Sequence, residues 1–201
     1  CLTLGQLIAA EKSTLYMNFD PCSALPDLLG EDNDKDLSDL LYAFSADDAG
    51  TDFSAFIRNF HGLDIICPVR LQEDLYRTDP EKFVFLTREL VRSRGYHAVI
   101  LDLGCGLRLT EAFLPLISKL FIPTRKDAVS GGKAVRFRDW LFRIREDAGA
   151  LDPEEITLPL AHPFVSGKNY LGQLLWSELG DYARSLYERE LCIRRSRKSC
   201  I

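Results

Sequence analysis

The residues best suited to chemistry lie in the segment His97-Ala-Val-Ile-Leu-Asp-Leu-Gly-Cys-Gly-Leu-Arg108. Four apolar residues, 98–101, lead into Asp102, and Gly104 and Gly106 follow it. A short apolar run bounded by glycine is typical of a strand that is buried on both faces. In open α/β sheets, ligands bind beside the carboxyl ends of the strands. The pattern therefore predicts that the Asp102 carboxylate faces a bound ligand.

Alternating strands and helices are expected to position this carboxylate. Apolar runs predict further strands at 15–19, 63–67, 119–123 and 155–160. Amphipathic patterns and caps predict helices at 2–11 (with Leu4, Leu7 and Ile8 on one face), 37–44, 52–60, 79–94, 110–116, 171–191 and from the polar loop 124–133 to about 146. Strands separated by helices are typical of βαβ units. We therefore expect one α/β domain with a mostly parallel sheet and helices on both faces.

The composition excludes several classes of protein. A net charge of −5 argues against a protein that coats nucleic acid with its whole surface. No apolar run is long enough to span a membrane, and the start of the chain lacks the pattern of a signal peptide. The cysteines form no Cys-x-x-Cys pair, which indicates reduced thiols in a cytoplasmic protein. Cys105 is expected to fill a tight turn, because His97 lies at the opposite end of its strand.

Asp102-Leu-Gly-Cys-Gly106 resembles the loop that cradles S-adenosylmethionine in methyltransferases. In that family a third glycine follows two residues later, where this chain has Arg108. The next strand should end in an acidic residue, but here it ends in Pro123-Thr-Arg-Lys. About 95 residues follow the loop, which is too few for the remaining βαβ units. A methyltransferase is therefore the third of three hypotheses.

The order of motifs over residues 1–135 resembles that of MinD/ParA-type P-loop ATPases. Leu15-Tyr-Met-Asn-Phe-Asp-Pro21 is similar to the strand that ends in Asp-x-Asp-Pro in that family. The resemblance makes Asp20 the catalytic residue that positions the attacking water, and Asn18 replaces the first aspartate. It also makes Asp102 the Walker B carboxylate, which binds Mg²⁺ through water, with Gly104 beside the nucleotide. The most similar subgroup is the divergent CpaE/TadZ-like group.

The family's phosphate-binding loop, Gly-x-x-x-x-Gly-Lys-[Ser/Thr], does not occur in the 201 residues. Gly131-Gly-Lys133 has the wrong spacing and follows the wrong strand. Without that loop Asp20 and Asp102 supply at most Mg²⁺ and water contacts, because Mg²⁺ relies on phosphates for its other ligands. We therefore expect a P-loop NTPase-like fold that lacks its first strand and P-loop. ATP and Mg²⁺ are expected only if a loop precedes Cys1, and the start of the chain within a helix favours such a loop.

The first hypothesis is thus a nucleotide-switched homodimer that positions a cellular cargo, such as pilus machinery or a chromosome. The second is a non-hydrolysing scaffold of the same fold. The resemblance implies a protein cargo or an upstream receiver-like domain as partners.

Two basic segments suggest further contacts. We expect an α/β domain over 1–187 and a basic tail over 188–201, which either frays in solvent or reaches the inner face of the membrane. The tail carries Arg194, Arg195, Arg197 and Lys198. The helix near 135–145 carries Arg136, Arg138, Arg143 and Arg145. These could contact DNA, but the apolar residues between them favour an amphipathic surface helix.

Overall fold

Two groups of strands organise the computed structural model, which describes residues 1–29, 35–46, 51–104, 106–144, 151, 153–159 and 170–192. The strands are β1 (Thr14–Asn18), β2 (Ile57–Phe60), β3 (Leu63–Ile66), β4 (Ala98–Asp102), β5 (Phe121–Thr124) and β6 (Glu154–Thr157). The α-helices are α1 (Leu2–Ala9), α2 (Leu25–Leu29), α3 (Leu37–Ala46), α4 (Gln72–Arg77), α5 (Pro80–Arg94), α6 (Leu107–Phe113), α7 (Ala128–Ile144), α8 (Tyr170–Leu174) and α9 (Glu178–Tyr187). A 3₁₀ helix spans Phe53–Phe56, and a π-helical turn spans Glu188–Cys192.

The larger sheet has the strand order β2-β3-β1-β4. Strand β1 pairs in parallel with β3 and with β4, whereas β2 pairs antiparallel with β3. Strands β5 and β6 form a separate parallel pair. The predicted α/β fold, with a mostly parallel sheet, is therefore confirmed.

The sequence predicts that β4 is buried on both faces, but the structure shows it only half-buried. All five residues of β4 are half-buried, whereas all five residues of β1 are buried. Among the strands that the structure describes, β4 pairs only with β1. No described strand pairs with its second edge, and its five residues are only half-buried although most of them are apolar.

Helices cover both faces of the larger sheet. Leu15, Met17 and Phe19 point into a core built with α3, α5 and α6. Tyr16 points into a second cluster that contains Leu25 and residues of α1. Because successive side chains of a strand point to opposite faces, one strand supplies both cores.

The local sequence explains how α5 delivers the chain to β4. The Asp79 side chain accepts a hydrogen bond from Glu81 N at 3.2 Å, and Pro80 occupies the first helical turn. Gly95 ends the helix with φ 66°, and its N–H donates to Val91 O at 2.9 Å. These are the preferred residues for a helix start and a left-handed helix end.

The predicted helix at 52–60 is wrong. Its first part is the 3₁₀ helix, which Asp52 caps by accepting a hydrogen bond from Ser54 N at 2.9 Å. Its second part is β2, which forms a hairpin with β3 through His61 (φ 51°) and Gly62 (φ 87°). A two-residue hairpin turn with two positive φ angles matches the twist of the strands. Strand pairing therefore overrides the local helical pattern.

The prediction of one continuous helix over 171–191 is also wrong. It is divided into α8, α9 and the π-helical turn. Gly180 lies against the backbone of Leu175, since a Cβ at Gly180 would lie 2.1 Å from Leu175 O. Ser177 caps α9 by accepting a hydrogen bond from Gly180 N at 3.4 Å.

Helix α4 was not predicted, because only Leu75 of its six residues is buried.

The buried face of α1 differs from the predicted one. Leu4 and Leu7 are only half-buried, whereas Thr3, Gly5, Gln6 and Ile8 are buried. Gly5 allows this packing, because a Cβ there would lie 3.0 Å from Leu63 and 3.2 Å from Ile100. Helix α6 begins three residues before its predicted start, at Leu107. Among the helices in the described ranges, none has the length and apolarity to cross a membrane.

Candidate functional site

The carboxyl ends of β1 and β4 bring the candidate residues together. Asn18 lies opposite Asp102 in the parallel register of the two strands. One residue further, Phe19 N donates a hydrogen bond to Asp102 O at 2.7 Å. The two segments therefore leave the sheet side by side, and Asp20 and Asp102 reach the same edge.

Gly104 allows the segment after β4 to lie close to the backbone of Asp20. Its φ of 54° is in the left-handed region, which favours glycine. A Cβ at this position would lie 3.4 Å from Asp20 Cα and 3.5 Å from Asp20 Cβ. The structure thus brings Asp20, Asp102 and Gly104 together at the carboxyl ends of β1 and β4.

The Tyr16 hydroxyl connects Asn18 to Asp102. It donates a hydrogen bond to Asp102 Oδ2 at 3.0 Å and accepts one from Asn18 Nδ2 at 3.0 Å. Burial first, and then the nearby Asp102 charge, raise the pKa of Tyr16 far above its usual value. Tyr16 is therefore a neutral hydrogen-bond donor that holds one oxygen of Asp102.

Asn18 has a structural role in this network. Its Nδ2 also donates to Ser23 Oγ at 3.0 Å, and its Oδ1 accepts a hydrogen bond from Asp20 N at 2.7 Å. Both amide hydrogens are therefore used, and the oxygen fixes the turn that carries Asp20. Asp20 Oδ1 in turn accepts a hydrogen bond from Cys22 N at 3.0 Å.

Sequence reasoning missed Tyr16. The available signal was the alternation of β1, which places Tyr16, Asn18 and Asp20 on one face of the extended segment. A tyrosine two residues before a polar strand end is usually interpreted as core. Here its ring belongs to the core, with an exposed fraction of 1%, and its hydroxyl belongs to the site.

The start of α1 packs near the same network. Leu2, its first residue, lies against the buried cluster that contains Tyr16, whose hydroxyl binds Asp102. The first turn of a helix carries a partial positive charge, which favours anions.

The side chains at this site limit the metal ions and ligands that it can bind. In the described part of the chain, the Asp102 side chain forms one hydrogen bond, from Tyr16 to Oδ2. Within the described ranges, no three side chains of His, Cys, Asp or Glu form a group that could hold a metal. Asp20 and Asp102 fit a site that holds Mg²⁺ through water and through the phosphates of a nucleotide. They do not form a complete metal site by themselves.

An exposed apolar rim borders the site. Gln72 Nε2 donates a hydrogen bond to Cys22 Sγ at 3.6 Å, and Arg108 Nη1 donates to Tyr76 O at 3.4 Å. These contacts place α4 beside the Asp20 turn and the start of α6. Leu71, Tyr76 and Leu107, which we call the rim, have exposed fractions of 63%, 65% and 46%.

Several predicted residues lie outside the described residues. They are Cys105, Arg145 and the tail residues Arg194, Arg195, Arg197 and Lys198. On α7, Arg136 and Arg143 are exposed, and Arg138 forms an ion pair with Glu155 at 3.0 Å. Their predicted contact with DNA stays a prediction.

Comparison with solved structures identifies the fold. No family model matches the sequence, and no curated protein matches it. A ParA family ATPase from Chlorobium tepidum has 16% identity and a TM-score of 0.64, with 99% of this chain and 88% of that chain covered. A plasmid partition protein from Borrelia burgdorferi has 14% identity and a TM-score of 0.63, with 93% and 88% covered. The MinD cell division protein of Aquifex aeolicus has 16% identity and a TM-score of 0.56, with 89% and 72% covered.

These similarities extend over nearly the whole chain and concern the fold. The chain has the α/β fold of ParA- and MinD-type ATPases. The same comparisons give no support to the methyltransferase alternative.

Proposed function

We propose that this chain, which has the fold of ParA- and MinD-type ATPases, acts as a nucleotide-switched homodimer that positions a cellular cargo. The observation that carries the proposal is the meeting of Asp20, Asp102 and Gly104 at the carboxyl edge of β1 and β4. Asp102 would hold Mg²⁺ through water, and Gly104 would lie beside the nucleotide. Asp20 would orient the water that attacks the terminal phosphate.

The contacts of Asp102 support this assignment. Tyr16 holds Oδ2 of this carboxylate at the carboxyl end of β4. The start of α1, where Leu2 packs beside Tyr16, would add a region of positive potential near the phosphates.

Nucleotide binding in this proposal requires a phosphate-binding loop from outside these 201 residues. Among the described strands none pairs with the second edge of β4, which supports this requirement, because a further parallel strand could pair there and deliver such a loop beside Asp102. ATP and Mg²⁺ are therefore proposed as cofactors of a chain that includes the loop. The 201 residues alone are expected to be inactive.

A non-hydrolysing scaffold is the second candidate, and Asn18 favours it. An amide replaces the first carboxylate of the family's strand, and its hydrogen bonds with Tyr16, Ser23 and Asp20 leave it no catalytic task. In that case the fold would persist as a localisation and dimerisation module without ATP turnover.

The proposed dimer uses the rim beside the site. Leu71, Tyr76 and Leu107 are exposed where a second copy would approach a bound nucleotide.

Proposed protein partners are a pilus or secretion assembly or an upstream receiver-like domain, with chromosomal DNA as the less supported cargo. One structural neighbour is a MinC:MinD complex of Aquifex aeolicus. We place the protein in the cytoplasm, with the tail over 188–201 as a contact to the inner face of the membrane.

The test starts from the full reading frame of the gene. If it encodes a Gly-rich Lys-[Ser/Thr] loop before Cys1, the complete protein should hydrolyse ATP and dimerise with Mg·ATP, as measured by phosphate release and light scattering. Asp20→Asn should abolish hydrolysis and keep the ATP-dependent dimer. A frame without the loop, together with a dimer that forms without ATP, would establish the scaffold.

The chain of 201 residues, without any upstream segment, provides the matched control. Calorimetry with Mg·ATP should show no binding, and micromolar binding would contradict the requirement for an external loop. Binding of S-adenosylmethionine by either protein would instead favour the methyltransferase hypothesis.

A further inference from the structure

The amide of Asn18 has only one possible orientation in its network. Asp20 N donates a hydrogen bond to Asn18 Oδ1 at 2.7 Å, and a backbone N–H cannot act as an acceptor. If the amide were rotated by about 180°, its NH₂ group would face this N–H, and two donors would meet. The oxygen of Asn18 therefore faces Asp20, and its NH₂ group faces its other two partners, Tyr16 and Ser23.

This orientation determines where the Tyr16 proton lies. The Tyr16 hydroxyl oxygen lies 3.0 Å from Asn18 Nδ2 and 3.0 Å from Asp102 Oδ2. A phenol has one proton to donate, and the NH₂ group of an amide can only donate. Tyr16 therefore accepts from Asn18, and its single proton is directed to Asp102.

Burial makes this order of donors and acceptors costly to change. Tyr16 and Asn18 have exposed fractions of 1% and 6%. Ser23 Oγ accepts the second hydrogen of the amide at 3.0 Å and a hydrogen bond from Leu25 N at 3.2 Å. Because so little of the network is exposed, water does not readily replace a lost partner. A buried polar group without a partner destabilises the folded state.

A carboxylate at position 18 would not give the same order. Both of its oxygens accept hydrogen bonds, and at neutral pH it has no proton to donate to Tyr16. It would lie opposite Asp102 in the register of β1 and β4, so two carboxylates would compete for the one Tyr16 proton. Tyr16 is thus compatible with Asn18, but not with the aspartate that MinD/ParA-type ATPases have at this position.

We propose that Tyr16 and Asn18 are a pair of positioning residues for Asp102, in which Asn18 directs the Tyr16 proton to the Asp102 carboxylate. The pair fixes one oxygen of Asp102 with a neutral donor and adds no second negative charge beside it. Asn18 therefore has a task of its own and is more than a lost aspartate. A consequence for Mg²⁺, which rests on the proposed nucleotide function, is that the fixed Asp102 holds the waters of the metal at a lower Mg²⁺ concentration.

A double-mutant cycle in the chain of 201 residues tests the pair without nucleotide. Urea denaturation at pH 7 measures the unfolding equilibrium constant of Asn18→Asp, Tyr16→Phe and the combined variant. Asn18→Asp should raise this constant by at least about 10-fold, because one of two carboxylates is left without the Tyr16 proton. In the Tyr16→Phe background the increase should be at least about 5-fold smaller, because the new carboxylate meets no phenol oxygen there.

Tyr96→Phe provides the matched background. It also removes a hydroxyl that donates to a carboxylate, but this carboxylate is Asp64, and Asn18 does not take part in the bond. The effect of Asn18→Asp should therefore be the same in the Tyr96→Phe background as in wild type.

The pH dependence of Asn18→Asp reports on the proton and not on packing alone. When the new carboxyl group is protonated, it can donate to the Tyr16 oxygen and restore the original order of hydrogen bonds. Its pKa in the folded state should therefore be raised above the unfolded value of about 3.9. A group with a raised pKa stabilises the folded state fully below the unfolded value, and this stabilisation is lost as the pH rises through the folded value.

The deficit of Asn18→Asp relative to wild type should accordingly shrink as the pH falls from 7 to about 4, and shrink less in the Tyr16→Phe background. If Asn18→Asp is unfolded at pH 7, circular dichroism should show that its folded state returns toward about pH 4. A deficit that stays constant over this range would contradict the proposal.

If the full reading frame encodes a phosphate-binding loop, the complete protein tests the consequence for the metal. Tyr16→Phe should raise the Mg²⁺ concentration for half-maximal ATP hydrolysis by about 5-fold or more, with a smaller change in kcat at saturating Mg²⁺. Tyr96→Phe, which acts on Asp64, should leave this concentration within about 2-fold of wild type.

Three further results would overturn the proposal. The first is an effect of Asn18→Asp that is equal in the wild-type and Tyr16→Phe backgrounds. The second is an Asn18→Asp variant that is as stable as wild type at pH 7. The third is an active complete protein whose Mg²⁺ requirement does not change in Tyr16→Phe. The expected coupling in a protein that does not hydrolyse ATP would support the pair and contradict the proposed ATPase.

Discussion

The larger sheet and the β5–β6 pair represent two levels of burial within one chain. Strand β1 is buried along its whole length, and its side chains enter cores on both faces. Helix α7, the longest described helix, covers the smaller pair with two buried residues. The described part of this smaller region also carries a network of ion pairs, in which Lys119 and Arg189 bridge Glu154 and Glu190.

The difference separates two kinds of surface. A site for a charged ligand needs fixed side chains, and the larger sheet supplies them because its strand ends are anchored by packed cores. Helix α7 instead leaves most of its side chains accessible, because only Ala134 and Leu141 are buried. Substitutions of one residue type in the two regions should therefore have very different effects.

Phenylalanine gives the largest contrast. Phe83 of α5 has an exposed fraction of 1%, and its ring lies 5.5 Å from that of Phe19. Phe83→Ala should lower the free energy of unfolding by about 3–5 kcal/mol, through lost burial and a residual cavity. Phe142→Ala on α7 should change it by less than about 0.5 kcal/mol. Urea denaturation measures both, and similar losses would mean that α7 is buried in solution.

The fold was largely predictable from the sequence where local and tertiary signals agree. Asp79, Pro80 and Gly95 specify α5 locally, and its apolar side meets the core, so its bounds were predicted closely. At 52–60 the signals disagree. The apolar spacing suggested a helix, but pairing with β3 lies in tertiary contacts that one sequence does not show.

The candidate site was predictable only in part. The order of strands and the resemblance placed Asp20, Asp102 and Gly104 at one edge. The hydrogen bond from Tyr16 to Asp102 joins residues that are 86 positions apart, and no local pattern encodes it. The half-buried state of β4, which pairs with β1 alone among the described strands, was also not predictable, because apolar composition predicts burial without stating which strand lies beside it.

Tyrosine hydroxyls provide the second contrast. Tyr16→Phe removes the donor to Asp102 and the acceptor for Asn18 Nδ2 within a buried network. It should lower the free energy of unfolding by about 1–3 kcal/mol, since buried polar groups lose their partner. Tyr96 also donates to a carboxylate, Asp64 Oδ2 at 2.7 Å, but is only half-buried. Tyr96→Phe should cost about 1 kcal/mol or less, so equal losses would show that water reaches Tyr16.

Glycine substitutions should have opposite signs in the two regions. Gly104→Ala puts a Cβ at φ 54° and 3.4 Å from Asp20 Cα, and should cost about 1–2 kcal/mol. Gly131→Ala lies inside α7 with no atom within 4 Å of the new Cβ, and should stabilise the protein by about 0.5–1 kcal/mol. Thermal unfolding of the two variants measures the difference. Stabilisation by Gly104→Ala would contradict the strained approach of Gly104 to Asp20.

The ion pairs of the smaller region give the smallest effect, which depends on pH. Hydrogen bonds from Lys119 and then Arg189 lower the pKa of the Glu190 carboxyl from 4.5 to about 2. A carboxyl with a lower pKa in the folded state stabilises the protein fully above the unfolded value, and this stabilisation is lost as the pH falls through the folded value. Between about pH 5 and about pH 2, wild type should therefore lose more stability than Glu190→Gln, by about 1 kcal/mol or less for partly exposed groups. Urea midpoints measured across this range test the difference, with Glu89→Gln on α5 as the control. Parallel pH profiles of wild type and Glu190→Gln would show that packing of α7 and α9, rather than these charges, holds the smaller region in place.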